Sequence, residues 1–384
     1  MLIGLTNEPR DYSWGSATLI PDLVGRAPDG SPEAEIWYGD HPGCPARVQD
    51  GSGRTLDGLI ADRGERPLPY LMKLLAAGSS LSIQAHPSLA EAATGFAREN
   101  AAGIPVDAPE RTYRDANHKP EIIVAVSDVF RALVGLRPLE DTRRLLAELG
   151  EGPGVTALAA RLSRPGADAD ILRETLEWAL SGQAQAEIDD LVVALRAASS
   201  TEFAAELQVL RAAAEDFPGD PGIVVALLMN LVELHRGEAL FAPAGVLHAY
   251  QDGLGVELMA ASDNVLRGGL TPKHIDVPEL MRIVDTTPEP APLVTPTTVD
   301  GAEVFDVGIP DFALVHAAVH SGRAQRLALA GPAIALVTRG EVTVTAAGGA
   351  LTLRPAEAAY LTVDETSVEL TGEGDVFLAQ PGRP

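Results

Sequence analysis

The chain has 384 residues, 46% of them hydrophobic, and carries 54 Asp and Glu against 29 Lys and Arg for a net charge of −25. That length exceeds one small domain and predicts two or three, each with a real core. A surface this acidic repels nucleic acid and anionic lipid, which excludes both as partners, and an anionic small molecule would need a local basic pocket.

No apolar run approaches the roughly 18 residues of a membrane span. The stretch Met1 to Arg10 lacks the basic and apolar regions of a secretory signal. Cys44 is the only cysteine, so no intrachain disulfide can form. The expectation is a cytoplasmic protein, taken as a monomer.

Residues 1–136 mix short strand-like runs with Gly, Pro and Asp turns. Leu81 to His86 alternates in polarity like a half-buried strand. Glu121 to Val126 is a short apolar run rich in β-branched residues and reads as a buried strand. From Pro138 to His235 the texture turns to Ala, Leu, Glu and Arg. Leu172, Leu176, Ala179 and Leu180 follow helical spacing, as do Ile188, Leu191, Val192 and Leu195. Asp141 and Thr201 are expected N-caps, and Gly150 and Gly182 expected C-terminal stops. The segment Gly222 to Leu234 is apolar on nearly every face and predicts a buried helix.

Strand texture returns from Glu238 to Met259. Residues 286–299 are rich in Pro and Thr and read as a linker. In the tail, Ala333 to Val337 and Val342 to Val344 read as two strands parted by Gly340. Two stretches echo one another. Gly237, Pro243, Gly245 and His248 have the same spacing as Gly349, Pro355, Glu357 and Tyr360. The first resembles the second cupin motif, with Asp252 where that motif usually has Asn. The expected fold is mainly β with an inserted helical domain and two cupin-type jelly rolls, of which only the first holds a metal. The expected domains are 1–136 with 237–290, an insert at 137–236, and a C-terminal domain at 300–384.

Three polar clusters carry the chemistry. In Ser82-Ile-Gln84-Ala-His86, alternate residues project from one face of a strand. In Tyr113-Arg-Asp-Ala-Asn-His118-Lys119-Pro-Glu121, a run of ionisable groups enters an apolar strand. Glu121 at the mouth of that strand is costly unless paired or bound to metal. The third cluster runs from His248 through Glu257, Ser262-Asp263-Asn264 and Arg267 to Lys273. Two His, one Glu and one Gln can close a single metal site, and imidazole with carboxylate suits Zn²⁺. Only three lysines occur, Lys73, Lys119 and Lys273, and all lie in or beside these clusters. A compact ammonium was needed there, where Arg serves elsewhere.

Together the clusters resemble type I mannose-6-phosphate isomerase. The tract 113–121 matches that family's first signature at every fixed position. The tract His248 to Lys273 matches the second, with Gln251 where an aliphatic residue is preferred and Gly268 where Ala is usual. Asp11 to Ser16, Glu35 to Trp37 and Gly39 to Pro42 also fit the family's amino-terminal pattern. The resemblance covers roughly residues 1–290.

It implies one Zn²⁺ per chain on Gln84, His86, Glu121 and His248, a catalytic Arg267, and Ser82, Lys73, Lys119, His118, Glu257, Asp263 and Lys273 in the pocket. It also implies that mannose 6-phosphate and fructose 6-phosphate interconvert through an enediol. The proton shuttle can be Lys119, His118, Glu257 or Asp263, because each is chemically able. Ser82, Lys73 and Lys273 are the phosphate candidates. The competing expectations are an Fe(II) cupin oxygenase, a sugar-phosphate sensor, and an isomerase for another phosphorylated sugar.

Overall fold

The strand His248–Ala260 organises the first half of the molecule. Its beginning pairs with Ile83–Ala85 on one side and Val129–Leu136 on the other. Its remainder pairs with Tyr70–Ala77 and Glu121–Ala125. The change of partners falls at a bulge between Tyr250 and Asp252, just before Gly253 at φ 118. A side chain on Gly253 would meet the Phe130 backbone at 2.8 Å, so only glycine fits there. One long strand thus brings the sequence-distant clusters around 84, 121 and 248 into one sheet system. The described residues are 1–382 of a computed structural model, mainly β-sheet in two ten-stranded systems with several helices.

Tyr70–Ala77 and Glu121–Ala125 are buried along their whole length, apolar apart from Lys73 and Glu121. One face, with Leu75, Ile123 and Ala125, packs against Phe130, Val134 and Tyr250. The opposite face, with Met72, Leu74, Ile122 and Val124, packs against Leu314, Ile334, Leu336 and Phe377 of the second sheet system. Two tyrosine hydroxyls fasten that contact. Tyr38 donates to the Ala356 carbonyl at 2.6 Å and Tyr70 to the Pro332 carbonyl at 2.8 Å.

The segment between the paired strands Val129–Leu136 and Met229–His235 of the first sheet system forms the helices Leu139–Glu148, Pro153–Leu162, Asp168–Leu180, Gln185–Ala197, Ala204–Asp216 and Gly222–Leu228. The periodic leucines named from spacing are buried in one core with Ile83, Leu133 and Leu266 of the first sheet system. Gly150 and Gly182 end their helices at φ 78 and 76. The two expected caps are corrected. Asp141 lies inside the first turn of a helix capped by Pro138, and Thr201 precedes a helix whose N-cap is Phe203. The expected helix 222–234 is also corrected. It stops at Leu228, and Met229–His235 is a strand paired with Val129–Leu136. An apolar run without periodicity does not separate the two states, and tertiary pairing decided.

In the second sheet system, Ala333–Ala346 is one strand of 14 residues, not two. Gly340 at φ 72 sits against the Glu373 and Gly374 backbone and pairs with Gly374 within the ladder, where a turn was expected; the bulge falls earlier, between Val337 and Arg339. The expected linker holds short strands at Leu293–Val294 and Thr297–Val299. The first strand of the chain, Leu2–Thr6, pairs with Ala358–Leu361, so residues near both ends share a sheet. No helix among the described residues is long and apolar enough to cross a membrane.

Candidate metal centre and substrate pocket

His86, Glu121 and His248 come together as a buried group whose ligand atoms lie within 4.8 Å of one another. The sheet explains how. Ile83–Ala85 ends one residue before His86, Glu121 opens its strand, and His248 opens the long one. Gln84 pairs directly with His248 on one side and Arg267 on the other, which puts the three side chains on one face.

Both imidazoles are oriented from behind. His86 Nδ1 lies 2.7 Å from the Asn264 carbonyl and His248 Nδ1 3.1 Å from the Val246 carbonyl. A carbonyl only accepts, so both Nδ1 atoms carry the proton and both Nε2 atoms present a lone pair. Those two Nε2 atoms are buried without a hydrogen-bond partner. They lie 3.3 and 3.2 Å from the Glu121 carboxylate. Burial, then the nearby Lys119 ammonium, pushes His86 down to about 4, so it is neutral at physiological pH. Burial would raise the Glu121 carboxyl, but Lys119 at 2.8 Å and the imidazoles hold it well below the usual range. Two imidazoles whose buried Nε2 atoms lack a hydrogen-bond partner, beside a carboxylate, fit a divalent transition metal such as zinc.

Beside this group runs a buried charged row. Lys73 Nζ lies 2.8 Å from Glu257 and 3.3 Å from Glu35, and 5.2 Å above the Trp37 ring. Burial would lower the lysine, but the two carboxylates outweigh it and hold the ammonium charged. Glu257 is raised as well, which for a carboxyl favours the neutral form. Burial raises it, Lys73 pulls it back, and Glu121 and Glu35 raise it further.

The remaining site residues separate. His118 Nε2 is 2.9 Å from Asp311 of the second sheet system. Asp263 pairs with His41 at 3.2 Å, and this contact lowers its carboxyl. Both His41 and Asp263 line a cavity of about 570 Å³ with Asp40, Arg114 and Asp115. Ser82 lies just outside its strand and is half-buried.

Among the described residues, Arg267 and Lys273 form no ion pair. Burial, then Arg114, lowers the Arg267 guanidinium, and burial, then Arg267 and Arg114, lowers Lys273. The three cations are near enough to repel one another, in a chain of net charge −25, and Asp263 is a carboxylate that senses Arg114. A basic group of this kind on an acidic protein suits an anion.

Sequence reasoning missed Glu35, His41, Arg114, Asn264 and Asp311 as contributors. All but Asp311 lie in tracts already matched to the family, so their positions carried the signal. Asn264 is fully buried. Its side-chain oxygen accepts from the Arg114 and Asp115 N–H groups at 2.7 and 3.3 Å. Its amide donates to the Asp115 and Asn117 carbonyls at 2.9 and 2.8 Å. It joins the loop before Glu121 to the residue that orients His86. Gln251, the departure from the family pattern, is buried but satisfied by Ser80 and the Ala249 carbonyl.

Residues 2–139 match the family model for phosphomannose isomerase type I, catalytic domain. The mannose-6-phosphate isomerase of Salmonella typhimurium is 38% identical, over 96% of this chain and 97% of that one. That of Escherichia coli is 37% identical at the same coverage. A crystal structure of zinc-bound holo mannose 6-phosphate isomerase superposes with TM-score 0.87, at 33% identity and over all of both chains. Fold and site thus define a metal-binding sugar-phosphate isomerase. The chain belongs to the type I phosphomannose isomerases.

Proposed function

We propose that the protein is a monomeric, cytoplasmic, zinc-dependent aldose–ketose isomerase that interconverts D-mannose 6-phosphate and D-fructose 6-phosphate through an enediol. Each sheet system is read as a cupin-type jelly roll, the first being catalytic. The observation that carries the reading is the pair of buried, unpartnered Nε2 atoms of His86 and His248 beside Glu121.

One zinc per chain is assigned to Gln84, His86, Glu121 and His248. When bound, it polarises sugar oxygens as a Lewis acid. The side chains do the rest. Arg114, Arg267 and Lys273 hold the phosphate, with the Arg forks matched to its oxygens. Arg267, on the same face as Gln84, also neutralises charge developing on the enediolate. Lys73, kept charged by Glu35 and Glu257, donates to a sugar hydroxyl, and Ser82 adds a polar contact at the same face.

Among the four proton-carrier candidates, Glu257 has the best support. Its carboxyl is buried and raised, which moves it toward neutrality. Glu257 is paired too, with Lys73 at 2.8 Å, but stays raised despite that ammonium. His118 is engaged by Asp311, Asp263 by His41, and Lys119 by Glu121. These three position the loops around the substrate.

The test is turnover of mannose 6-phosphate, followed as fructose 6-phosphate in a coupled assay, before and after chelation. Activity lost on chelation and restored by zinc is expected. Folded, zinc-loaded protein without turnover would overturn the reading.

A further inference from the structure

The loop that follows Arg267 adopts an uncommon backbone. Gly269 has φ 127 and Leu270 has φ 52, the left-handed region that a branched-chain L residue rarely enters. Leu270 is also buried, so it cannot be relaxed by solvent. A strained residue persists only where its surroundings over-determine it. Here they come from the helical insert. Asp220 lies in the turn between the helices Ala204–Asp216 and Gly222–Leu228. Its Oδ1 accepts from Leu270 N–H at 2.9 Å and Gly222 N–H at 2.7 Å, and its Oδ2 from Thr271 N–H at 3.1 Å. Thr271 Oγ1 in turn accepts from Lys273 N–H at 3.2 Å.

The two backbones also touch. A Cβ on Gly222 would lie 2.5 Å from Leu270 N, and one on Gly269 would lie 2.3 Å from Gly222 Cα. Backbone atoms cannot give way as a flexible side chain can, so both positions must be glycine. On its other side the loop is fixed by the pairing of Arg267 with Gln84. The segment 267–273 is therefore clamped between a strand that carries metal-site residues and one turn of the insert.

We propose that the helical insert is the positioning element of the phosphate loop. Asp220, seated by Gly222 against Gly269, fixes the backbone of Leu270 and Thr271 and so aims Arg267 and Lys273 at the substrate's phosphate. The role rests on the phosphate reading of Arg114, Arg267 and Lys273. Asp220 is a positioning residue, because it contacts the loop and not the substrate. A carboxylate suits the task. It accepts from three N–H groups at once, and charge-assisted bonds to backbone N–H are the strong ones.

The experiment uses the zinc-loaded full chain and compares Asp220→Ala, Asp220→Asn, Lys273→Ala and the Asp220→Ala/Lys273→Ala double variant. The readouts are KM and kcat for mannose 6-phosphate, the inhibition constant of inorganic phosphate, and the thermal midpoint. Lys273→Ala is expected to raise KM and the phosphate inhibition constant about tenfold. Asp220→Ala is expected to raise both by a similar factor, and Asp220→Asn by less, since it keeps one acceptor oxygen. The double variant should resemble the worse single variant, because both substitutions remove one function.

If Lys273→Ala weakens phosphate and neither Asp220 variant does, the insert does not position the loop and the proposal is overturned while the phosphate reading stands. If neither Lys273→Ala nor Arg114→Ala changes phosphate inhibition, the phosphate reading fails and the proposal falls with it. A lower thermal midpoint with unchanged KM and phosphate inhibition assigns Asp220 to stability alone and also overturns it. Should Asp220→Ala fail to fold, Asp220→Asn decides on the same readouts.

Discussion

His248 and Tyr360 occupy matching positions in two sequence stretches of equal spacing, yet they face opposite ways. In the first stretch the left-handed turn residue is Gly245 at φ 81, three residues before His248. In the second it is Ala356 at φ 65, four residues before Tyr360. In a strand, a one-residue offset sends every side chain to the other face. His248 accordingly shares the face of Tyr250, inside its own sheet system. Tyr360 points out of its sheet, into the core between the two systems, beside Leu336 and Phe377. The residue that faces the second interior as His248 faces the first is Ala359, packed with Val376 and Leu378. At this position the two units therefore differ in two ways: the side chain changed, and so did the register. The histidines differ in charge as well. His86 is kept neutral, as a metal ligand must be, while His316 of the second system lies between two carboxylates and is held charged.

The largest effect expected from breaking this contrast is at His248 itself. His248→Ala removes an assigned ligand from a preformed site and should lower turnover by about a thousandfold or more, with zinc content falling in parallel. The fold should survive, since the imidazole makes one backbone hydrogen bond. Metal analysis and the coupled assay check this. A variant with full zinc and full turnover would remove the histidine from the site.

Next comes the residue that holds the first site in place. Asn264→Ala leaves the carbonyl that faces His86 but frees it, because the side chain's bonds to 114, 115 and 117 are lost. Removing such outer partners typically weakens a metal by roughly ten to a hundredfold. Competition with a chelator measures the zinc affinity directly. An unchanged affinity would mean that the ligands hold themselves.

Much of this contrast was legible in the sequence. Gln84, His86, Glu121 and His248 could be named because Gln84 and His86 alternate on one strand face, Glu121 is costly at the mouth of an apolar strand, and the family resemblance implies the four as ligands. The helical insert could be bounded because Leu172 to Leu180 and Ile188 to Leu195 keep a clean period. What the residues could not give was register. The equal spacing of 237–248 and 349–360 suggested equal facing, and φ at Ala356 decided otherwise. Gly222 to Leu234 carried no period, so its switch from helix to strand at Met229 was set by pairing with Val129–Leu136. Asp311 and Asp220 reach the site only through tertiary contacts, and no local pattern marks them.

A smaller effect sharpens the register argument. Tyr360→His restores the residue type of the first stretch but points it into an apolar core near Glu65. It should add no bound zinc and cost about 1–3 kcal/mol of stability, from lost packing and a buried imidazole without a full set of partners. Denaturant unfolding and metal analysis separate the two readouts. A second zinc per chain would show that side-chain identity, not facing, separates the two units.

The smallest effect concerns protonation. His316 Nδ1 lies 2.9 Å from Glu303 and Nε2 3.4 Å from Asp375, with Arg339 also on Asp375 and the Phe377 ring 4.8 Å away. Arg236 and Glu238 line the same cleft. Burial would lower the imidazole, but the two carboxylates outweigh it and raise it above its ordinary 6.5. A raised value stabilises fully below 6.5, and that contribution disappears as pH climbs through the raised value. Asp375 is held down to about 2, so its contribution is lost only as pH falls toward that value. The clamp is therefore complete between the ordinary carboxylate range and neutrality. Moving from about pH 6 to about pH 9 should lower the protein's stability through His316, and His316→Gln should remove that share of the decline. A variant whose alkaline decline matches the parent's would show that the imidazole is not charged in the folded state, and the contrast with His86 would then rest on geometry alone.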